Sequence, residues 1–252
     1  MKKVLIIVSF FACIAHSCGQ ATNKQVAGNP VYQTDSTTQP DNVIIDVYSQ
    51  LIEAIKTNDQ SSFDTLIKQI PVIDSLVQIN ENENYYSLLG YACKYRCYDF
   101  AQKLINLKAD VEIGKADDYL VFDALSVAVQ SEDLHLVKLL LDNGANPNRM
   151  NSEEGFTVLS LSCILNNYDI TKLLIEKGAK VDGLGYTEGT DYVHYPLLDA
   201  VESNNIKLVQ LLIDNNCKID IQDKQGNTPF SIAKHNNNQQ IYDLLLEAEA
   251  SF

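Results

Sequence analysis

The sequence predicts an all-α solenoid of about six stacked helix-turn-helix units with finger loops between them. Three observations carry this prediction. Four apolar runs end alike and superimpose: LINLKADVE (104–112), LLLDNGANPN (139–148), LLIEKGAKVD (173–182) and LLIDNNCKID (211–220). Just upstream of each lies a second helical segment, Ala-rich in most copies: SLLGYACKYRC (87–97), DALSVAVQSED (123–133), TVLSLSCILNN (157–167) and YPLLDAVESNN (195–205). A last copy, QGNTPFSIAKHNNNQQIYDLLLEA, covers 225–248. The unit starts at 87, 123, 157, 195 and 228 are 36, 34, 38 and 33 residues apart, a spacing that marks a repeat architecture. Finally, the second helices are apolar nearly all round, as helices are when covered on both sides. One unit cannot bury that surface alone, so stacking makes the core.

The elements follow in chain order. Lys2 and Lys3 precede an apolar run of 12, VLIIVSFFACIA (4–15). That run is too short to span a membrane, which takes about 20 residues, but it suits a secretory signal core. AHSC (15–18) follows, so cleavage after Ser17 leaves Cys18 first. This stretch resembles the lipobox of bacterial lipoproteins, and the resemblance implies that Cys18 carries a lipid. Ala15 and His16 depart from the usual motif, and ordinary secretion is the alternative. Residues 1–17 are thus expected to be a signal peptide. Residues 18–42, a polar stretch rich in Gln, Asn, Thr, Gly and Pro, are expected to be a disordered tether. At about 5–6 Å × √n it holds the domain about 25–30 Å from its anchor. The repeat domain is expected over 43–252, opening with a degraded copy, QLIEAIKTNDQSSFDTLIKQI (50–70).

Local chemistry fits the helix boundaries. Ser87, Asp123, Thr157 and Thr228 stand where an N-cap side chain can accept from the first free backbone N–H groups. Pro196 and Pro229 occupy the first helical position, where the missing N–H costs nothing. Ala92, Ala128, Ser162, Ala200 and Ala233 keep one position small, so that neighbouring helices approach closely. Gly144 and Gly178 end second helices in the left-handed conformation. Asn216 can adopt it too, whereas Lys108 is a strained substitute.

The period and the helix pair resemble the ankyrin repeat. Its Thr-Pro-Leu-His start survives best as Thr228, Pro229, Phe230, Ser231, and its Asp-x-x-Gly turn as DKQG (223–226). The family's His is missing from all five starts. The resemblance implies a concave binding face and finger loops. The face's exposed row aligns as Lys94, Gln130, Ile164, Glu202 and Lys234, with Ile164 conspicuous as an apolar member. Length variation falls in the fingers, at 112–122 and 183–195, where insertions leave the stack intact. Tyr85, Tyr86, Tyr119, Tyr186, Tyr192 and Tyr195 lie between helix pairs, out of 13 tyrosines. Tyr119, Tyr186 and Tyr192 are the candidate partner contacts, because tyrosine joins a large contact area to a polar tip. Packing beneath a finger is the alternative, above all for Tyr195.

With 33 acidic and 19 basic residues the net charge is −14. Affinity for nucleic acid rests on Lys and Arg neutralising phosphates, so that class is excluded and a partner with a basic patch is favoured. Cys93 and Cys97, spaced i, i+4 on a helix, are expected to share one face. A disulfide, two metal ligands and simple core packing are their alternatives, with no second ligand pair to complete a zinc site. His135, His194 and His235 fall in different units with no nucleophile at a meaningful spacing, and no phosphate loop or nucleophile elbow appears. The expectation is a non-enzymatic monomer without cofactor or metal. It would bind a protein and sit in the periplasm or at the outer membrane through its lipid only. The alternative function is an immunity or inhibitor protein that masks a secreted toxin or enzyme.

Overall fold

Helix pairs stack in sequence order, each against the pair before it. The computed structural model describes residues 31–33, 41–78, 85–113, 123–149, 156–183 and 194–250. The pairs are α1 (Asp41–Thr57) with α2 (Gln60–Leu66), α3 (Leu88–Lys94) with α4 (Tyr98–Asn106), and α5 (Ala124–Gln130) with α6 (Leu134–Asp142). They continue as α7 (Val158–Ile164) with α8 (Tyr168–Glu176), α9 (Pro196–Glu202) with α10 (Ile206–Asp214), and α11 (Pro229–His235) with α12 (Gln239–Glu249). The architecture is the all-α solenoid that the period predicts.

The caps stand as read. Ser87, Asp123, Thr157 and Thr228 accept from the backbone N–H groups of Gly90, Ser126, Ser160 and Ser231. Tyr195 caps α9 without a side-chain bond, and Pro196 opens that helix. Lys108, Gly144, Gly178 and Asn216 all take positive φ, at 71°, 95°, 90° and 60°. A second left-handed position recurs in the turn inside each pair, at Asn58, Arg96, Glu132, Asn166, Asn204 and Asn237. The turn is reversed by backbone geometry rather than by glycine, and the alignment on apolar runs did not reveal it.

Two polar ladders then tie each unit to the next. At the inner turn, the N-cap residue of a second helix reaches the left-handed residue of the preceding unit. Arg96 Nε lies 3.6 Å from Asp133 Oδ2. Asn167 Nδ2 donates to Glu132 Oε2 at 3.2 Å, Asn205 Nδ2 to Asn166 Oδ1, and Asn238 Nδ2 to Asn204 Oδ1 at 2.7 Å. Along the finger edge, Asp74, Glu112, Asn148 and Asp182 accept the backbone N–H of Asp110, Asn146, Lys180 and Lys218, each at 2.7–2.8 Å.

The buried side chains form two main clusters that meet in the fourth unit. One runs from Tyr48 to Ala179, the other from Cys163 to Ala248. Where they meet, buried Ser162 takes the place of alanine, and its hydroxyl pairs with Thr171 Oγ1 at 2.9 Å. Ser162 Oγ also donates to Leu159 O, and Thr171 Oγ1 to Asn167 O. The polar atoms are therefore satisfied inside the stack.

The N-terminal boundary departs from expectation. Residues 31–33 form β1 (Val31–Gln33), parallel to β2 (Leu76–Gln78), and α1 begins at Asp41. Ordered backbone thus lies inside the stretch read as a disordered tether. Low apolar content argues against self-sufficient folding, but a strand can dock by main-chain hydrogen bonds alone. The segment carrying β2 is itself fastened, since Tyr48 Oη donates to Val72 O and Tyr91 Oη to Val77 O.

Candidate partner-binding face

The row expected on the concave face follows from the first helices of the second to sixth units, each seven residues long and each carrying one residue two places before the left-handed turn. Counting back from Arg96, Glu132, Asn166, Asn204 and Asn237 gives Lys94, Gln130, Ile164, Glu202 and His235. The last member is His235, not Lys234. Lys234 stands at the position of Cys93, Val129, Cys163 and Val201, all buried under the next unit. No described unit follows the sixth, and there the position is exposed and takes a charge.

Gln130 and Glu202 are exposed, while Lys94 and Ile164 are half-buried. Ile164 is therefore less free than its row position suggested, although it belongs to neither core cluster. Lys94 Nζ lies 4.8 Å from the ring centre of Tyr86 and 5.7 and 5.9 Å from those of Tyr91 and Tyr95. Those rings hold its charge by cation–π attraction. Tyr85 and Tyr86, expected in a finger, are buried at the base of the second unit. Tyr119, Tyr186, Tyr192 and Cys18 lie outside the described residues.

Cys93 and Cys97 are free thiols on different elements. Cys93 ends the buried run of α3, and Cys97 lies beyond the left-handed Arg96 as the N-cap of α4. The shared helix face disappears because the helix stops at Lys94. Cys97 Sγ donates to Ile55 O at 3.2 Å. Burial pushes both thiols up, Cys93 far up with the Asp133 charge adding to it. Cys163 is likewise raised by burial, and Cys217 is pushed up to about 12. These are poor nucleophiles, since the thiolate is the reactive form.

His194 has a partner that its isolation in the sequence concealed. Its ring stacks on Phe156, centres 3.6 Å apart and planes 21° from parallel. Its Nδ1 shares a hydrogen bond with Asp199 Oδ1 at 3.4 Å. Asp199 is buried in α9, and burial raises its pKa while the His194 hydrogen bond and charge work against that rise. Asp123 is buried too and raised by the same desolvation, but it caps Ser126 through backbone and hydroxyl. A visible signal for Asp199 existed. Four residues after each unit start stand Tyr91, Val127, Leu161, Asp199 and Ile232, one acid in an apolar row.

Among the described residues no cluster of three metal-ligating side chains occurs, and no helix is long and apolar enough to cross a membrane. The first-helix row presents one half-buried apolar residue, Ile164, between the exposed Gln130 and Glu202. The ankyrin-repeat family model, three copies of the repeat, matches residues 125–223 and 197–252. The chain belongs to the ankyrin-repeat family. Similar proteins include the putative ankyrin repeat protein L371 of Acanthamoeba polyphaga mimivirus, 30% identical over 172 residues, 68% of this chain and 21% of that one. The putative ankyrin repeat protein FPV230 of fowlpox virus is 30% identical over 154 residues, 50% of this chain and 82% of that one. A homolog of transient receptor potential cation channel subfamily A member 1 from Caenorhabditis elegans is 27% identical over 143 residues, 57% and 11% of the two chains. This chain thus spans about a fifth of the mimivirus protein's length. Ankyrin repeats are protein-interaction modules, and the family is typically non-catalytic.

Proposed function

We propose that this ankyrin domain is a non-catalytic binding module, exported and anchored in a bacterial envelope by a lipid on Cys18. It binds one protein partner through the first-helix face and the fingers. The observation that carries the binding reading is the graded row on that face. Ile164, with Leu161 and Leu165, forms a half-buried apolar patch between the exposed polar groups Gln130 and Glu202. Interface centres are apolar and their rims polar. The net charge of −14 favours a partner with a basic patch and speeds encounter with it. A masked basic toxin or enzyme is the second reading, and the same charge supports it.

Photo-crosslinkers placed at Gln130, Ile164 and Glu202 test the face, with one at exposed Lys172 on a second helix as control. The expected result is one crosslinked partner from the face and none from Lys172. Equal labelling from Lys172 removes the face from consideration. Alanine at Tyr119, Ile164 and Tyr192 together is expected to abolish that capture. Anchoring has its own test: globomycin should block maturation, and labelled fatty acid should enter wild type but not Cys18→Ala. Normal processing without fatty acid overturns the anchor and leaves the binding reading intact.

A further inference from the structure

Asp199 occupies a position that is apolar in the other aligned units, at Tyr91, Val127, Leu161 and Ile232. It is 7% exposed, and an ionised carboxylate so placed is costly unless hydrogen-bonded and paired. Only half of that requirement is met within the chain. Oδ1 shares a hydrogen bond with His194 Nδ1 at 3.4 Å, while Oδ2 is buried without a hydrogen-bond partner. Ser160 Oγ donates to the His194 carbonyl oxygen at 3.4 Å and only partly offsets the burial of the acid, as the weakest of the influences on it. Glu202, one turn further along α9 and exposed, adds negative charge that the acid feels. Nearby Cys163 is a neutral buried thiol and supplies no cation.

An aromatic surface completes the arrangement. Phe156 and His194 stack beside the acid, both half-buried at the ends of consecutive fingers. His194 is the more open member of its pair, its side chain 26% exposed against 8% for Asp199. An incoming group therefore meets the imidazole before it meets the carboxylate. A free carboxylate oxygen, a π face and a second carboxylate one turn away match one side chain best. A guanidinium is planar, stacks on aromatic rings and offers several donors to carboxylates. A lysine ammonium would use the charge but not the stacking surface.

We propose that Asp199, with Phe156, His194 and Glu202, is the seat for an arginine side chain of the partner protein. The inference rests on the reading of this face as a protein-binding surface and names the chemistry it selects. Asp199 accordingly costs the free chain stability and is retained for recognition.

The probe is the peptide acetyl-Gly-Arg-Gly-amide titrated into the full chain, followed by NMR of the His194 ring protons. Its citrulline counterpart, equal in shape and without charge, is the control. Arginine is expected to shift the His194 signals saturably, citrulline at least about tenfold more weakly, and Asp199→Asn to lose the arginine response by a similar factor. Asp199→Leu, which restores the apolar row, is expected to raise Tm while abolishing the response. Equal responses to the two peptides, no shift at His194, or an Asp199→Asn variant that behaves as wild type overturns the seat. So does a fall in Tm for Asp199→Leu, which would mark the acid as structural. Crosslinking of a partner with no arginine response defeats the seat alone. An arginine response in a face that captures no partner defeats the protein-binding reading alone.

Discussion

The fourth and fifth units share a frame and differ at the surface. Leu159, Ile170 and Leu174 of the fourth correspond to Leu197, Leu208 and Leu212 of the fifth, and all six are buried. On the first-helix face the same register gives Leu161, Ile164 and Leu165 in one unit and Asp199, Glu202 and Ser203 in the other. Packing fixes the first set, because neighbours on both sides leave room for one size of aliphatic side chain. The second set is held less uniformly: Asp199 is buried, Ser203 Oγ donates to Cys163 O at 3.1 Å and Glu202 is exposed, while Leu161 and Leu165 lean on the core. Frame positions specify the fold, and on the function proposed above the variable rows specify the partner.

Breaking the shared frame should produce the largest effect. Leu174→Ala and Leu212→Ala are each expected to lower stability by about 2–5 kcal/mol, read from denaturant unfolding. A cost under about 1 kcal/mol in only one of them would show that the units are not equivalent in packing. Next comes a buried pair of hydroxyls that the fifth unit lacks. Ser162 and Thr171 stand where the fifth unit has Ala200 and Val209, both buried. Thr171→Val alone should cost about 1–3 kcal/mol, because the buried Ser162 hydroxyl loses its Thr171 partner and keeps only its bond to Leu159 O, whereas Ser162→Ala with Thr171→Val should return close to wild type. Equal losses in the single and double variants would deny that the hydroxyls act as a pair.

The helix ends give a smaller contrast. Gly178 and Asn216 are equivalent, at φ 90° and 60°, and a Cβ at Gly178 would meet nothing within 4 Å. Gly178→Ala should therefore cost about 1–2 kcal/mol from backbone strain alone. Asn216→Gly should change Tm little, since asparagine already tolerates the left-handed well. A pH titration sharpens the surface contrast last. Burial raises Asp199 above its ordinary 3.8, so the folded state binds the proton more tightly than the unfolded chain does. Its contribution is fully present below about pH 3.8 and is lost as pH rises through the folded value. Wild type should thus lose stability relative to Asp199→Leu as pH climbs from 4 towards neutrality. A gap independent of pH would mean that Asp199 keeps its ordinary acidity.

Much of this fold was legible in the sequence because the repeat reports it many times over. Cap residues, first-turn prolines and Gly144 and Gly178 each carry their own steric or hydrogen-bonding reason, and the helices start and stop there. The left-handed Arg96 and Glu132 were not legible, since neither residue type favours that backbone and tertiary packing imposes it. Cys93 and Cys97 misled for the same reason: spacing on one helix means nothing once the helix ends between them. The last unit misled by one place, because Lys234 is exposed there where other units bury an aliphatic or a thiol. His194 and Asp199 are only five residues apart, yet their pairing depends on a finger meeting a helix, which periodicity does not describe. Their signal lay in reading down the units rather than along the chain.

The two polar ladders have a mechanical consequence. Each rung joins only adjacent units, and the rungs at the two edges flank the packed helices. A pull on the ends of the domain therefore meets couplings in series, so that units should peel away one after another instead of yielding together. In a single-molecule extension trace this predicts a sawtooth of near-equal steps, each about one repeat in contour length. The domain would then act as an extensible link that stores little slack until load arrives, holding its grip on whatever it has bound while the chain behind it lengthens.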